Sequence, residues 1–200
     1  MVTSSHAYWT WRASRSRPGA GWAVLGGIAP DLPALAAVVV LTATGTARGE
    51  LLGAVYHRPG LDRLHLAVHA AWIPLALLAL GRRRPSLRRV GGGWLGHLGA
   101  DYLLHHDDAW PPAWPLSRRR WRSPVSYWQP DHHAHAWSAT ELAVIALATA
   151  GDRSAAGWVA GALALATVGW TALASRGGNL WTSLGARPDP GARGRDLQRR

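Results

Sequence analysis

Charge is absent from long stretches of this chain, and the gaps between charges set out its elements. From Pro18 to Ala47 the only charged residue is Asp31, and the stretch lies between Arg17 and Arg48. It is long enough to cross a bilayer, although Pro30-Asp31-Leu32-Pro33 must break or bend it. Leu64 to Gly81 carries no Asp, Glu, Lys or Arg over 18 residues and is bounded by Arg63 and Arg82, which makes it the cleanest span. Val90 to Leu104 is weaker and glycine-rich, with His97 and Asp101 inside it, and reads as a half-span or re-entrant helix packed within the protein. Ala134 to Ala150 holds only Glu141, Ser154 to Ser175 holds no charge over 22 residues, and Gly151-Asp152-Arg153 is the turn of a helical hairpin. The expected fold is therefore an all-α, multi-pass membrane bundle with four full spans plus one buried half-span. A soluble bundle is disfavoured because the two longest segments lack the polar stripe of a solvated helix. One membrane-embedded domain over 1–185 is expected, with 186–200 a disordered basic tail.

Composition narrows the chemistry. Cysteine is absent, which excludes disulfides, thiolate zinc sites and a thiol nucleophile. All 22 basic residues are arginine and the net charge is +11. The arginines sit at segment ends instead of on one face, so membrane lipids are the expected partner and nucleic acid is not. Arg12, Arg15 and Arg17, with Arg82, Arg83, Arg84, Arg88 and Arg89, place the N-terminus and the second connection in the cytoplasm of a cell-membrane protein. If the third stretch re-enters, Arg118, Arg119, Arg120 and Arg122 are cytoplasmic too, and the Asp152 turn lies on the opposite side. The first 17 residues are polar and basic, with no small-residue cleavage site after a short apolar run, so no cleaved leader is expected. Trp110, Trp114, Trp121, Trp128 and Trp137 suit a loop, 106–136, anchored at headgroup level. Arg118 to Arg122 read as positive-inside anchoring first and as a strip for a phosphate-bearing lipid second. Neither a P-loop nor G-x-S-x-G is present.

Ionisable groups inside apolar segments cost a few kcal/mol each and usually mark function. Here they are Asp31, His65, His69, His97 and Asp101. His65 and His69 share one helix face, and His97, Asp101 and His105 share another at the same four-residue spacing. Imidazole and carboxylate without thiolate suit zinc first, then manganese or iron. A lone membrane histidine can equally hydrogen-bond a neighbouring helix, whereas the three-membered row at 97, 101 and 105 would otherwise need three separate partners. Asp131-His132-His133-Ala134-His135 is a second, weaker ligand group, since consecutive histidines diverge.

His97-Leu98-Gly99-Ala100-Asp101 with His105, then Trp114-Pro115-Leu116-Ser117, an arginine cluster and Ser123-Pro124-Val125-Ser126-Tyr127-Trp128, resembles the signature of the bacterial membrane-bound metal-dependent hydrolases, which include LexA-regulated members. The N-terminal half is similar more loosely, through His6, Ala29-Pro30-Asp31 and Leu64 to Ala70. Leu104, Ala70 and Pro33 depart from that family's usual Thr, Ser and Asp. The resemblance implies a metal-dependent hydrolase in which water activated by the cation attacks an unknown, membrane-borne substrate. Its expected ligands are Asp31, His69, His97 and Asp101, with His6 and His65 in reserve. His105 is the expected general acid or base, with Asp107 as its catalytic neighbour; Asp107 and Asp108 can complete the site or orient His105, or simply be solvated. The alternative is a non-enzymatic membrane protein that carries metal ions or protons along the same His/Asp rows.

Overall fold

In the computed structural model, residues 1–46, 51–58 and 60–174 are described; the basic tail at 186–200 lies outside them. All regular structure among these residues is helical. The helices are α1 (Thr3–Ser14), α2 (Ala20–Ile28), α3 (Leu32–Ala43), α4 (Leu51–His57), α5 (Leu61–Val68), α6 (Trp72–Leu80), α7 (Pro85–Leu104), α8 (Ala134–Ala150) and α9 (Ala155–Ala174).

Two helical stretches are long and apolar enough to cross a membrane: Ala20–Ala43, 24 residues, and Ala155–Leu173, 19 residues. The first contains the Pro-Asp-Leu-Pro sequence and is not broken by it. Pro30 and Pro33 each fall in the opening turn of a helical segment, one a 3-10 turn at Ala29–Asp31 and the other α3. A proline there forfeits no hydrogen bond, because the first amides of a helix lack intrahelical acceptors anyway. The result is one span with a tightened middle, and Asp31 sits in that middle.

The stretch at 64–81 differs from the straight span expected of it. It is the pair α5 and α6, bent by 50°, and counts as a third candidate span only if the pair is taken as one. The amide of Ala71 donates to Pro112 O at 2.8 Å, so a loop carbonyl takes a hydrogen bond the helix ladder would have used. The fourth expected span, α8, has 17 residues, short of the roughly 20 needed to cross the hydrocarbon core unaided. The count is thus two or three, not four.

The third stretch, Val90 to Leu104, is the greater part of α7, a continuous 20-residue helix about 30 Å long at 1.5 Å per residue that opens on Pro85 to Arg89. It packs within the protein and is not among the candidate spans. Gly93, His97, Asp101 and Leu104 make its buried face. That face lies directly against α2: a Cβ on Gly93 would stand 2.0 Å from Ala23 O, and one on Gly26 would stand 2.0 Å from Val90 O. Only glycine allows backbones so close, the packing used by small-residue membrane helix pairs.

The ends of the bundle follow from its contacts. Arg12 Nη1 donates to Asp152 Oδ2 at 2.9 Å and Arg15 pairs with the same oxygen. Gly19 lies against the Arg89 side chain. The Asp152 turn therefore shares an end with Arg17 and Arg89, and is not opposite them as the hairpin reading had it. The 105–133 loop lies at the other end of α7. Polarity is inverted relative to a water-soluble core: Val39, Leu80, Leu147, Val159, Leu163 and Trp170 are exposed, whereas His6, His65, His69, His97, Asp101 and Glu141 are buried.

Candidate metal centre

Four elements bring the polar side chains together. The tightened middle of the first span supplies Asp31, the α5–α6 bend supplies His69, the buried face of α7 supplies His97 and Asp101, and α1 supplies His6. His97 Nε2 is 3.1 Å from Asp101 Oδ2 and 3.7 Å from Asp31 Oδ1. His69 Nε2 is 3.8 Å from Asp101 Oδ2 and 3.9 Å from Asp31 Oδ1. His6 Nε2 is 3.1 Å from Asp101 Oδ1, and its ring stacks on His97 with centroids 3.7 Å apart.

This arrangement fits a cation. Ligands held at about 2.0–2.1 Å in a tetrahedron stand about 3.3 Å from one another, within the range these four groups already span. Two overlapping triads, His6/Asp31/His97 and His69/His97/Asp101, each place their ligand atoms within 4.8 Å of one another. The ring nitrogens are sorted for the task as well. His97 Nδ1 lies 2.8 Å from Gly27 O and His69 Nδ1 lies 2.9 Å from His65 O. A carbonyl can only accept, so in both rings Nδ1 carries a proton and Nε2 is the nitrogen left to face the cluster. His97 Nε2 is buried and makes no hydrogen bond, despite its nearness to Asp101, and a bound cation would satisfy it.

The surroundings hold the ligands in place. Thr3 Oγ1 donates to Asp31 Oδ2 at 2.7 Å, and Trp110 stacks on His69 with centroids 4.7 Å apart. His105 Nε2 lies 3.1 Å from Asp101 Oδ1, while its Nδ1 lies 2.5 Å from Asp108 Oδ2. The Met1 α-amine is 3.3 Å from Asp101 Oδ1 and 3.1 Å from His105 Nε2. Burial disfavours the charged form of His105, but the Asp108 carboxylate, helped by Asp101, outweighs it and raises its pKa to about 9. His6 shows the opposite outcome: burial lowers its pKa to about 4 despite Asp101, so the ring is neutral and ligand-ready at pH 7.

A cavity of about 220 Å³ reaches this cluster, lined by Asp31, His69, Asp101, His105 and Asp108 and walled by Tyr56, Trp110 and Trp128.

The structure thus unites Asp31, His69, His97, Asp101 and the reserve ligand His6. It leaves His65 out. That ring is buried with neither nitrogen hydrogen-bonded, packed against Tyr56, and it serves the cluster through its backbone carbonyl. Asp107 is turned away, accepting from Gln129 Nε2 at 2.8 Å, and the carboxylate beside His105 is Asp108. In the Asp131–His135 group, His132 stacks on His106 with centroids 3.6 Å apart, His133 begins α8, and His135 is exposed; none joins the cluster. Thr3, Gly27 and Trp110 complete the site without having been singled out as site residues. Thr3 and Gly27 leave no sequence signal, since an exposed-looking threonine and a backbone carbonyl have no characteristic spacing. Trp110 had been placed at the membrane interface.

No family model, curated protein or solved structure matches this chain.

Proposed function

We propose that this protein is a membrane-embedded, metal-dependent hydrolase, and the observation that carries this reading is the buried convergence of Asp31, His69, His97 and Asp101 beside a histidine that is not needed as a ligand. Zinc suits the donor set best: three imidazoles are available, both central ones are held in the Nε2-ligating tautomer, and two carboxylates balance a dication in an apolar bundle. A cation held there supplies the charge that lets water ionise near neutral pH.

The chain's own residues do the rest. Asp31 and Asp101 fix the cation and neutralise it. His105 faces the same cavity, and Asp108 orients its ring so that Nε2 points inward, where it can hold or pass a proton. Tyr56, Trp110 and Trp128 narrow the cavity and limit the water in it.

Exposed apolar faces on α3, α6, α8 and α9 support a multi-pass reading built on the two or three candidate spans, with α7 and α8 packed among them. The arginine-rich end, with Arg17, Arg82, Arg88 and Arg89, then faces the cytoplasm. The substrate would reach the site from the bilayer.

The carrier alternative requires ionisable groups along a path to both ends. The larger cavity on the arginine side has no carboxylate or imidazole between His6 and its arginines, which favours the enzyme. Metal analysis of detergent-purified protein, followed by an ester and phosphoester screen with zinc, manganese or iron restored, tests the proposal. Stoichiometric metal with metal-dependent turnover is expected; metal-free protein that binds none of the three would overturn it.

A further inference from the structure

A second cavity, larger than the one that reaches the cluster, measures about 690 Å³ and lies between α1, the start of α2, the end of α6 and α7. One end is walled by Arg17, Arg82, Arg88 and Arg89; the other reaches His6. Between them the lining is mostly small and apolar, including Gly92, Gly96 and Ala100, which follow one another at four-residue steps along α7. No carboxylate lines the cavity, and among the described residues none of the four arginines has a carboxylate partner. A Cβ at Gly92 or Gly96 would meet open space. The glycines therefore create the groove and are not packing contacts.

We infer that this cavity binds one anionic phospholipid, with its phosphate at the four arginines and an acyl chain laid along the glycine face of α7 toward His6. Unpaired guanidiniums clustered at one membrane face recognise phosphate, and basic pockets between membrane helices take lipid headgroups. Simple anchoring accounts for arginines at a helix end, but not for an apolar groove running from them into the bundle. Length decides what the lipid does there. From Arg88 to Ala100 is twelve residues of helix, about 18 Å. The ester bonds of a phospholipid lie next to its phosphate, at the arginine end, so the bound lipid is held uncleaved and only its chain end approaches the cluster.

The test uses detergent-purified, delipidated full-length protein and native mass spectrometry. Dioleoyl phosphatidylglycerol and dioleoyl phosphatidylcholine, which share chains and differ in headgroup charge, are added separately. Phosphatidylglycerol should be retained intact at least ten-fold better. Arg88→Gln with Arg89→Gln should weaken it about 25-fold, since each arginine facing an anionic surface contributes roughly five-fold. Gly96→Leu should also expel it by filling the groove, while Asp101→Asn, which empties the cluster, should keep it. Equal retention of the two lipids, or undiminished phosphatidylglycerol in the arginine double variant or in Gly96→Leu, would overturn the inference. So would glycerol 3-phosphate competing as well as the lipid, because the groove would then contribute nothing. If the arginine variant does not fold, the two-lipid comparison and Gly96→Leu still decide.

Discussion

Gly93→Ala adds one methyl group where the backbones of α2 and α7 touch, and its effect should travel to the cluster. The new Cβ would meet Ala23 O at 2.0 Å, Ala23 C at 2.9 Å and Gly27 N at 3.0 Å, all backbone atoms that cannot swing aside. A carbon and a carbonyl oxygen need about 3.3 Å, so α2 and α7 must separate by about 1.3 Å locally. The hydrogen bond from His97 Nδ1 to Gly27 O, now 2.8 Å, crosses that same interface. Lengthened by most of that shift, it passes the limit of about 3.2 Å and no longer fixes the ring. Overpacking costs about 1–3 kcal/mol, and backbone atoms on both sides put this case near the upper figure. Loss of an outer-shell partner weakens metal binding about 10–100-fold. Gly99→Ala is the control: it lies on the same helix, its Cβ meets nothing within 4 Å, and it should gain up to about 1 kcal/mol from helix propensity. Zinc titration and thermal unfolding in detergent would be run on both variants. If Gly93→Ala matches Gly99→Ala in both, the close approach of α2 and α7 does not exist as described. If it loses stability with zinc affinity intact, Gly27 is not a support for His97.

Asp101→Asn removes one of the two charges that balance a dication and should lower zinc affinity by more than 100-fold with membrane insertion unchanged; His105→Gln should spare the metal and abolish turnover. Metal analysis and the activity screen separate the two. Asp152 is held below its ordinary pKa chiefly by hydrogen bonds from Ser154, then by Arg15 and Arg12. A depressed carboxylate pKa stabilises the fold above its unfolded value of about 3.9, and that stabilisation is lost as pH falls through the lower folded value. Asp152→Asn should therefore match the native protein only at the acidic end of a stability profile, fall below it as pH rises toward about 4, and stay below it by a constant margin thereafter. Reporter fusions after Arg89 and after Asp152 should both give cytoplasmic signals, and one within Arg118 to Arg122 the opposite; a split between the first two would contradict the shared end.

The cluster residues were legible in the sequence because each is an ionisable group in an apolar run. Asp31 interrupts 18–47, His69 interrupts 64–81, and the four-residue rhythm of His97, Asp101 and His105 marks one face of one helix. Burying such groups without partners is costly, which favours their meeting, although His65 persists in the same run outside the cluster. Span number was less legible because hydropathy counts residues along the chain and does not register bends: Pro74 has no amide to offer Ala70 O and ends the α5 ladder, and the freed Ala71 amide turns to Pro112 O. The glycines of 91–93 made α7 look weak as a helix. Their low propensity is offset by close packing at two of the three, Gly91 against α6 and Gly93 against α2, a tertiary effect that no window of local sequence contains. Asp107 and Asp108 were indistinguishable by position; which one turns toward His105 depends on Gln129, which holds Asp107.

The 105–133 loop explains why a bent helix and an exposed-looking segment belong to one site. The last carbonyls of α7 lack intrahelical donors. The loop supplies them: Tyr127 N donates to Leu104 O at 2.8 Å, Ser123 N to His105 O at 3.0 Å and Ser123 Oγ to Leu103 O at 2.5 Å. With its far end fixed in this way, the same loop places Pro112 O against Ala71 N and lays Trp110 on His69. The loop that caps α7 therefore takes up the amide freed at the α5–α6 bend and walls the side of His69. A helix running straight through 69–71 would have kept the Ala71 amide within its own ladder and presented no gap for His69 to enter. A single irregular segment thus closes the end of α7 that carries Asp101 and His105 and packs against His69 at the α5–α6 bend.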